Sequence, residues 1–282
     1  MLRKALAGLA IVGIAAVGAT AWGQWSLDAM VRQEVEALAR GAGEPPAERF
    51  TYDMLDGLPE PVQRYFRAAL AEGTPLIKQV HLKQVGYFRP DPQGDWKPFR
   101  ADQWYSVEPP RFVWQASMDF APLLPVIGRD KYWYGQSNML MKVLGVVPVV
   151  DARSPELEVS ALIRYVSEMM WFPTALLPSE RVQWAPVDAD SAQLTFRDGD
   201  LTTTGIYIFD AAGVPVRFES RERYRSVGSG FSRDPYWGVG SAPSFREVAP
   251  GIKITTEGTA GWSLPEGEYE YIRVKITEVE YR

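Results

Sequence analysis

No cysteine occurs among the 282 residues, and histidine occurs once, as His81. The first absence excludes disulfides, thiolate metal sites, cysteine nucleophiles and lipidation on cysteine. The second leaves His81 as the sole base for a Ser-His-Asp triad and excludes a multi-histidine metal site within one chain. His81 lies in an alternating strand, beside Gln79 and Lys83 on a polar face. A satisfied or exposed strand residue is the simpler reading there than a catalyst. Positive charge is also in short supply. With 30 basic against 35 acidic residues the net charge is −5, and no basic cluster offsets it, which argues against nucleic acid as a partner. No metal and no organic cofactor is expected.

Large aromatic side chains, in contrast, are abundant. Ten Trp, thirteen Tyr and twelve Phe suit strands, interfaces and apolar pockets. Near the start, Arg3 and Lys4 precede an uncharged run from Ala5 to Gly23, with Trp22 and Trp25 at its far end. Positive residues stay in the cytoplasm and Trp favours the interface, so the body downstream is expected on the extracytoplasmic side of the inner membrane. The run exceeds an ordinary signal-peptide core, which favours an uncleaved single-pass anchor. Cleavage near Ala19-Thr20-Ala21, with release to the periplasm, is the alternative. Ser26 to Arg40 carries Leu27, Met30, Val31, Val35 and Leu38 at helical spacing; Gly41 to Pro46 reads as a linker; a second helix runs from the Leu58-Pro59-Glu60-Pro61 region to Gly73. The expected organisation is an anchor or signal over 1–25, a helical stalk and linker over 26–75, and a β body over 76–282.

From Leu76 the apolar period falls to two. Val80, Leu82 and Phe88 alternate with His81, Lys83 and Tyr87, and Phe112, Trp114, Ala116, Met118 and Phe120 share one face of a later strand. A hairpin is expected to turn at Gln136-Ser137-Asn138. Val214 to Arg225 reads as a strand with Arg217, Glu219, Arg221, Arg223 and Arg225 on a solvent-facing side. Gly228 to Pro243 reads as a loop, and Ile252 to Trp262 with Tyr269 to Tyr281 as a closing hairpin. About ten or eleven strands with short turns predict a mainly β, α+β fold, a large antiparallel sheet that curls into a half-barrel.

One stretch breaks the pattern: Ser154 to Pro178. Ser154 suits an N-cap, Pro155 the first helical position, and Glu156 and Glu158 the positive end of the helix dipole. Pro173 disfavours helical geometry at Phe172, so a helix over 154–172 is expected to end near Trp171. Val159, Leu162, Ile163, Val166, Met169 and Met170 share an apolar face, and Ser160, Arg164, Ser167, Glu168 and Trp171 share another. Such a helix is the natural cover for a curled sheet.

The stretch Arg164-Tyr165, Ser167-Glu168, Trp171-Phe172-Pro173 and Leu176-Leu177-Pro178 resembles the hallmark of an uncharacterised family of bacterial membrane-anchored proteins, a domain of unknown function. The resemblance extends over roughly residues 58–282, with supporting matches at Trp133-Tyr134-Gly135, Asp151, Pro235-Tyr236-Trp237, Trp262 and Gly267-Glu268-Tyr269. It implies relatedness and no chemistry. The architecture, though no motif, also resembles periplasmic lipoprotein carriers of the Lol type, whose incomplete barrels hold acyl chains.

Three functions compete. In the first, the exported body binds a lipid or other apolar ligand without catalysis, through Arg164, Glu168, Ser160, Tyr165, Trp171, Trp133 and Met139. Arg164 orients a polar or anionic head, Glu168 holds Arg164, and methionines and aromatics adapt to the apolar part. In the second, Glu168 is a general acid or base, which requires a second carboxylate such as Asp151 or Asp130. In the third, Trp237 and its loop dock a membrane-protein partner. Against all three stands a plainer reading of Arg164 and Glu168, four residues apart, as a salt bridge that ties helix to sheet.

Overall fold

The computed structural model describes the backbone of residues 2–43, 48–121 and 124–282 and the side chains of 17–43, 48–120 and 124–282. In chain order the helices are α1 (Leu2–Ala42), α2 (Glu60–Ala69) and α3 (Pro155–Glu168). Before α3 come β1 (Gln79–Phe88), β2 (Lys97–Ser106), β3 (Arg111–Ala121), β4 (Leu124–Trp133), β5 (Gln136–Val143) and β6 (Val147–Ala152). After it come β7 (Val182–Pro186), β8 (Ser191–Asp198), β9 (Leu201–Phe209), β10 (Pro215–Ser220), β11 (Arg225–Val227), β12 (Gly230–Ser232) and β13 (Tyr236–Gly240). The chain closes with β14 (Phe245–Ala249), β15 (Ile252–Thr255), β16 (Glu257–Leu264) and β17 (Gly267–Tyr281).

Thirteen strands form one antiparallel sheet in the order β6-β5-β4-β3-β2-β1-β17-β16-β13-β10-β9-β8-β7. β11 with β12 and β14 with β15 make separate pairs. The large sheet is open, since β6 and β7 are its two edges. They are also the strands that flank α3 in sequence, so the helix crosses the gap that keeps the half-barrel from closing. Cross-bracing joins the two limbs: Tyr132 on β4 donates to Asp198 on β8 at 2.7 Å, and Arg181 pairs with both Asp198 and Glu108.

The seventeen strands among the described residues exceed the ten or eleven expected: β6, β13 and β14 are additional, the expected strand Ile252 to Trp262 is divided into β15 and β16 with β15 paired to β14, and β11 and β12 have three residues each, too few to show alternation. The expected loop from Gly228 to Pro243 contains β12 and β13. The hairpin between β4 and β5 turns at Tyr134-Gly135, two residues earlier than expected. Both have positive φ, 52° and 73°, as a type I′ turn requires.

α3 begins as its sequence predicts, with the Ser154 hydroxyl accepting from the Leu157 N–H at 3.3 Å and Pro155 in the first turn. A single 3-10 turn, Met169–Trp171, follows, and Phe172 is non-helical before Pro173. Carbonyls near the helix end need partners that the helix cannot supply. Sheet tyrosines supply them: Tyr207 donates to the Val166 carbonyl and Tyr281 to that of Trp171, each at 2.6 Å. Tyr165 is buried between Tyr105, Phe172 and Phe196. Burial of each such large side chain contributes roughly 1.5–3 kcal/mol.

α1 is a single helix whose later part lies on the opposite, convex face. Val31 and Leu38 pack with Val113, and Glu34 reaches Arg129 at 3.1 Å and Lys131 at 2.7 Å. Of the linker expected over Gly41 to Pro46, Gly41 and Ala42 instead belong to α1, and 44–46 lie outside the described residues. So do most side chains of the run from Ala5 to Gly23. Among the described residues no helix is long and apolar enough to cross a membrane.

Candidate functional site

Alternation along β1 to β4 sends one set of side chains to the concave side, where α3 lies. Between helix and sheet two cavities adjoin, of about 190 Å³ and about 650 Å³. Met118, Met141, Met170 and Trp171 line the smaller, Val150, Leu157 and Trp262 the larger, and Phe88, Asp130, Met139, Arg164, Arg223 and Tyr271 both. A third space, of about 600 Å³, is a depression among outward-facing side chains of the sheet such as Val85, Tyr87, Arg100, Asp119 and Arg273, and shares only strand residues such as Val239, Gly258 and Thr259 with the smaller cavity. Chambers of a few hundred cubic ångströms that combine apolar walls with a few convergent polar groups are the usual form of a small-molecule site.

The polar group at the centre is built around Arg164. Its Nε donates to Glu168 Oε1 and its Nη1 to Asp130 Oδ2, both at 2.9 Å. The other Glu168 oxygen accepts from Gln103 Nε2 and from the Tyr105 hydroxyl, each at 2.9 Å. A relay continues outward, with Trp114 Nε1 donating to Gln84 Oε1 and Gln84 Nε2 to Gln103 Oε1. The Arg164 guanidinium also lies 5.1 Å from the ring centroids of Phe112 and Trp114. Burial works to lower the Arg164 pKa, but the Glu168 and Asp130 carboxylates outweigh it and the group is held further in its charged form. Burial pushes the Asp130 carboxyl up, against the pull of Arg164. The Tyr105 phenol is driven up by burial and by the Glu168 charge. The arrangement fixes a charged cluster firmly. It leaves neither Glu168 oxygen free.

Of the residues proposed from sequence, Arg164, Glu168, Trp171, Ser160 and Met139 come together around the two cavities. Ser160 is spoken for locally, since its hydroxyl accepts from the Tyr224 N–H and donates to the Tyr224 carbonyl. Tyr165 is turned into the core, its hydroxyl on the Ser106 carbonyl at 2.9 Å. Trp133 lies on the convex face beneath α1, under the Arg111 guanidinium. Of the two candidate second carboxylates, Asp130 meets Arg164, whereas Asp151 accepts from Asn138. His81 bonds Asp102 at 2.7 Å and stacks on Trp104, away from the cavities. Trp237 is not in a loop: it belongs to β13, where it is buried beneath Arg217.

Sequence reasoning missed Gln84, Gln103, Tyr105 and Arg223. Gln84 held a legible sign, because it continues the Val80 and Leu82 face of β1, and all three are buried. Arg223 was placed on a solvent face and is instead buried. β10 stops at Ser220, and the chain bends before Arg223.

Three solved structures share features of this fold. A domain described as an outer membrane lipoprotein-sorting protein domain from Vibrio parahaemolyticus gives a TM-score of 0.40 at 8% identity, covering 73% of this chain and 86% of that one. A DUF1329 family protein from Desulfovibrio piger gives 0.32 at 10%, covering 82% and 91%. A beta-barrel-like protein of the domain of unknown function DUF1849 from Brucella abortus gives 0.26 at 11%, covering 73% and 98%. No curated protein matches the sequence. A family model matches residues 48–274, from before α2 into β17, and the chain therefore belongs to the family of unknown function DUF6544.

Proposed function

We propose that this protein binds a lipid or another apolar molecule, without catalysis, in the chamber between α3 and the concave face of the sheet, and that its N-terminal segment tethers it outside the inner membrane. The observation that carries the reading is the chamber itself: adjoining cavities walled by methionines and aromatics, with Asp130, Arg164 and Arg223 among the lining of both. Methionine walls suit a flexible ligand because the side chain readjusts at little cost. An enzymatic reading rests on Glu168, and three donors already occupy its two oxygens. The cluster of Arg164, Asp130 and Glu168 accordingly serves to hold α3 in place as one wall of the chamber.

An apolar rim supports the tether. Trp22 and Trp25 are exposed on α1, Gly23 abuts Gly145 in the turn between β5 and β6, and Val146 of that turn is exposed together with Val147 and Val149 of β6. Trp at the end of an apolar run suits the interfacial region. Native mass spectrometry of gently purified full-length chain tests the binding. A bound mass that organic extraction removes is the expected result; protein that is empty and takes up no added fatty acid or monoacylglycerol would overturn it. Fractionation and the intact mass of the N-terminus test the tether.

A further inference from the structure

Arg164 spends its charge on two carboxylates, but a second buried cation lines both cavities and has none. Arg223 is 9% exposed and forms no ion pair among the described residues. Its one hydrogen bond runs from Nη1 to the Tyr271 hydroxyl at 3.2 Å, and its buried Nε has no acceptor. The guanidinium sits in an aromatic cage, 4.2 Å from the Tyr236 ring centroid, 5.5 Å from Trp262 and 5.8 Å from Tyr271. Ring faces attract a cation. They do not satisfy five N–H donors that point in fixed directions. A desolvated guanidinium with unused donors is unfavourable by itself and matches an oxyanion, which it can bind through two parallel hydrogen bonds.

We infer that Arg223 is the anion receptor of the chamber, and that it takes the monoanionic oxyanion of a single-chain amphiphile, a carboxylate or a phosphodiester, whose acyl chain occupies the adjoining apolar cavities. This rests on the apolar-ligand reading and names its ligand class. The walls explain why a free inorganic anion is the poorer fit: beyond the cage lie Phe88, Met139, Met141 and Ile272, which offer it no hydrogen bonds. Charge limits the head to a monoanion. Arg164 with Asp130 and Glu168 is net negative by one and Arg223 brings the four groups to zero, so a bound monoanion leaves one negative charge uncompensated in a buried site and a dianion would leave two.

The test compares ligands that differ in the head alone. Affinities of full-length protein for oleate and oleyl alcohol, and for lysophosphatidylglycerol and monoolein, are measured by quenching of tryptophan fluorescence. At least one anion is expected to bind roughly tenfold to a hundredfold more tightly than its neutral counterpart, as charge-assisted hydrogen bonds confer. Which pair shows the gain identifies carboxylate or phosphodiester as the head. Arg223→Met is expected to abolish that gain and leave neutral-ligand affinity within about twofold; Arg223→Lys, which keeps the charge and loses the fork, is expected to retain part of it. Should Arg223→Met fail to fold, the wild-type comparison and Arg223→Lys still decide. Equal binding of anion and neutral partner in both pairs, or an Arg223→Met variant that keeps the discrimination, overturns the assignment and leaves the apolar-ligand reading standing. No binding of any of the four overturns both.

Discussion

Glu168→Gln isolates what the central cluster does. The side chains of Glu168 and Arg164 are each 14% exposed and that of Asp130 is 10% exposed, so solvent screens the cluster weakly. The substitution keeps the shape, removes the charge and puts an amide nitrogen where an oxygen was. If the nitrogen faces Arg164, that guanidinium meets a donor; if it faces the sheet, Gln103 and Tyr105 do. Breaking a buried pair costs about 3–5 kcal/mol. Asp130 still holds Arg164 in the variant, which sets the expectation at the lower end, about 3 kcal/mol. For a chain of this size that corresponds to a fall in Tm of about 6–12 °C. Urea unfolding followed by tryptophan fluorescence gives the free energy, and a cycle with Arg164→Met gives the coupling. Native mass spectrometry of the variant, still folded below its midpoint, is expected to show retained ligand. A loss below about 1 kcal/mol, or single-variant effects that add to within about 0.5 kcal/mol, would refute the structural assignment of the pair.

Three further predictions follow from the same geometry. Ser154→Ala removes the N-cap of α3 and is expected to cost about 1 kcal/mol in urea unfolding, whereas Ser154→Asp restores most of it. Asp130 has its folded pKa raised by burial, so the folded chain binds that proton more tightly than the unfolded one. Its contribution is therefore fully present below the ordinary aspartate pKa of about 4 and is lost as pH rises through the folded value. Wild type should lose stability relative to Asp130→Asn as pH rises from acid toward neutral, and a difference independent of pH would contradict this. Met139 lines both cavities, so Met139→Trp is expected to reduce ligand occupancy in native mass spectra with a loss of stability of no more than about 3 kcal/mol, the upper end of the usual cost of adding bulk to a packed core.

Period-two patterning made the sheet legible because one face of each strand is buried whatever its partner. It could not show what covers the other face. Trp133 and Arg111 follow the strand alternation onto the convex side, which takes Trp133 out of the chamber, and the docking of α1 there gives Trp133 its cover. The ends of α3 were legible from Ser154, Pro155 and Pro173, since caps and prolines act locally. Its polar stripe was legible as a group too: Ser160, Arg164, Ser167, Glu168 and Trp171 all line one cavity or the other. What they meet was not. Asp130 lies 34 residues from Arg164, and Gln103 and Tyr105 lie more than 60 from Glu168.

Arg223 shows how one local event reverses a periodic inference. Alternation from Arg217 and Glu219 carries Arg221 and Arg223 to the same, solvent side, provided the strand continues. It stops at Ser220 because Glu222 is captured by the neighbouring strand: its carboxylate accepts from the Thr203 hydroxyl, the Thr204 hydroxyl and the Thr204 N–H, at 2.8, 2.6 and 3.1 Å. Those bonds pin a bend, and a shift of a single residue in phase sends a side chain to the opposite face. A buried, unpaired guanidinium is unfavourable in the empty protein, so the bend stores an unmet demand for an acceptor where the cavities meet. Glu222→Ala is therefore expected to impair anionic-ligand binding through Arg223 without touching the ligand. Its signature is a weaker oleate or lysophosphatidylglycerol affinity beside an unchanged affinity for the neutral partner; equal loss of both would instead mean that the whole limb of the sheet had shifted.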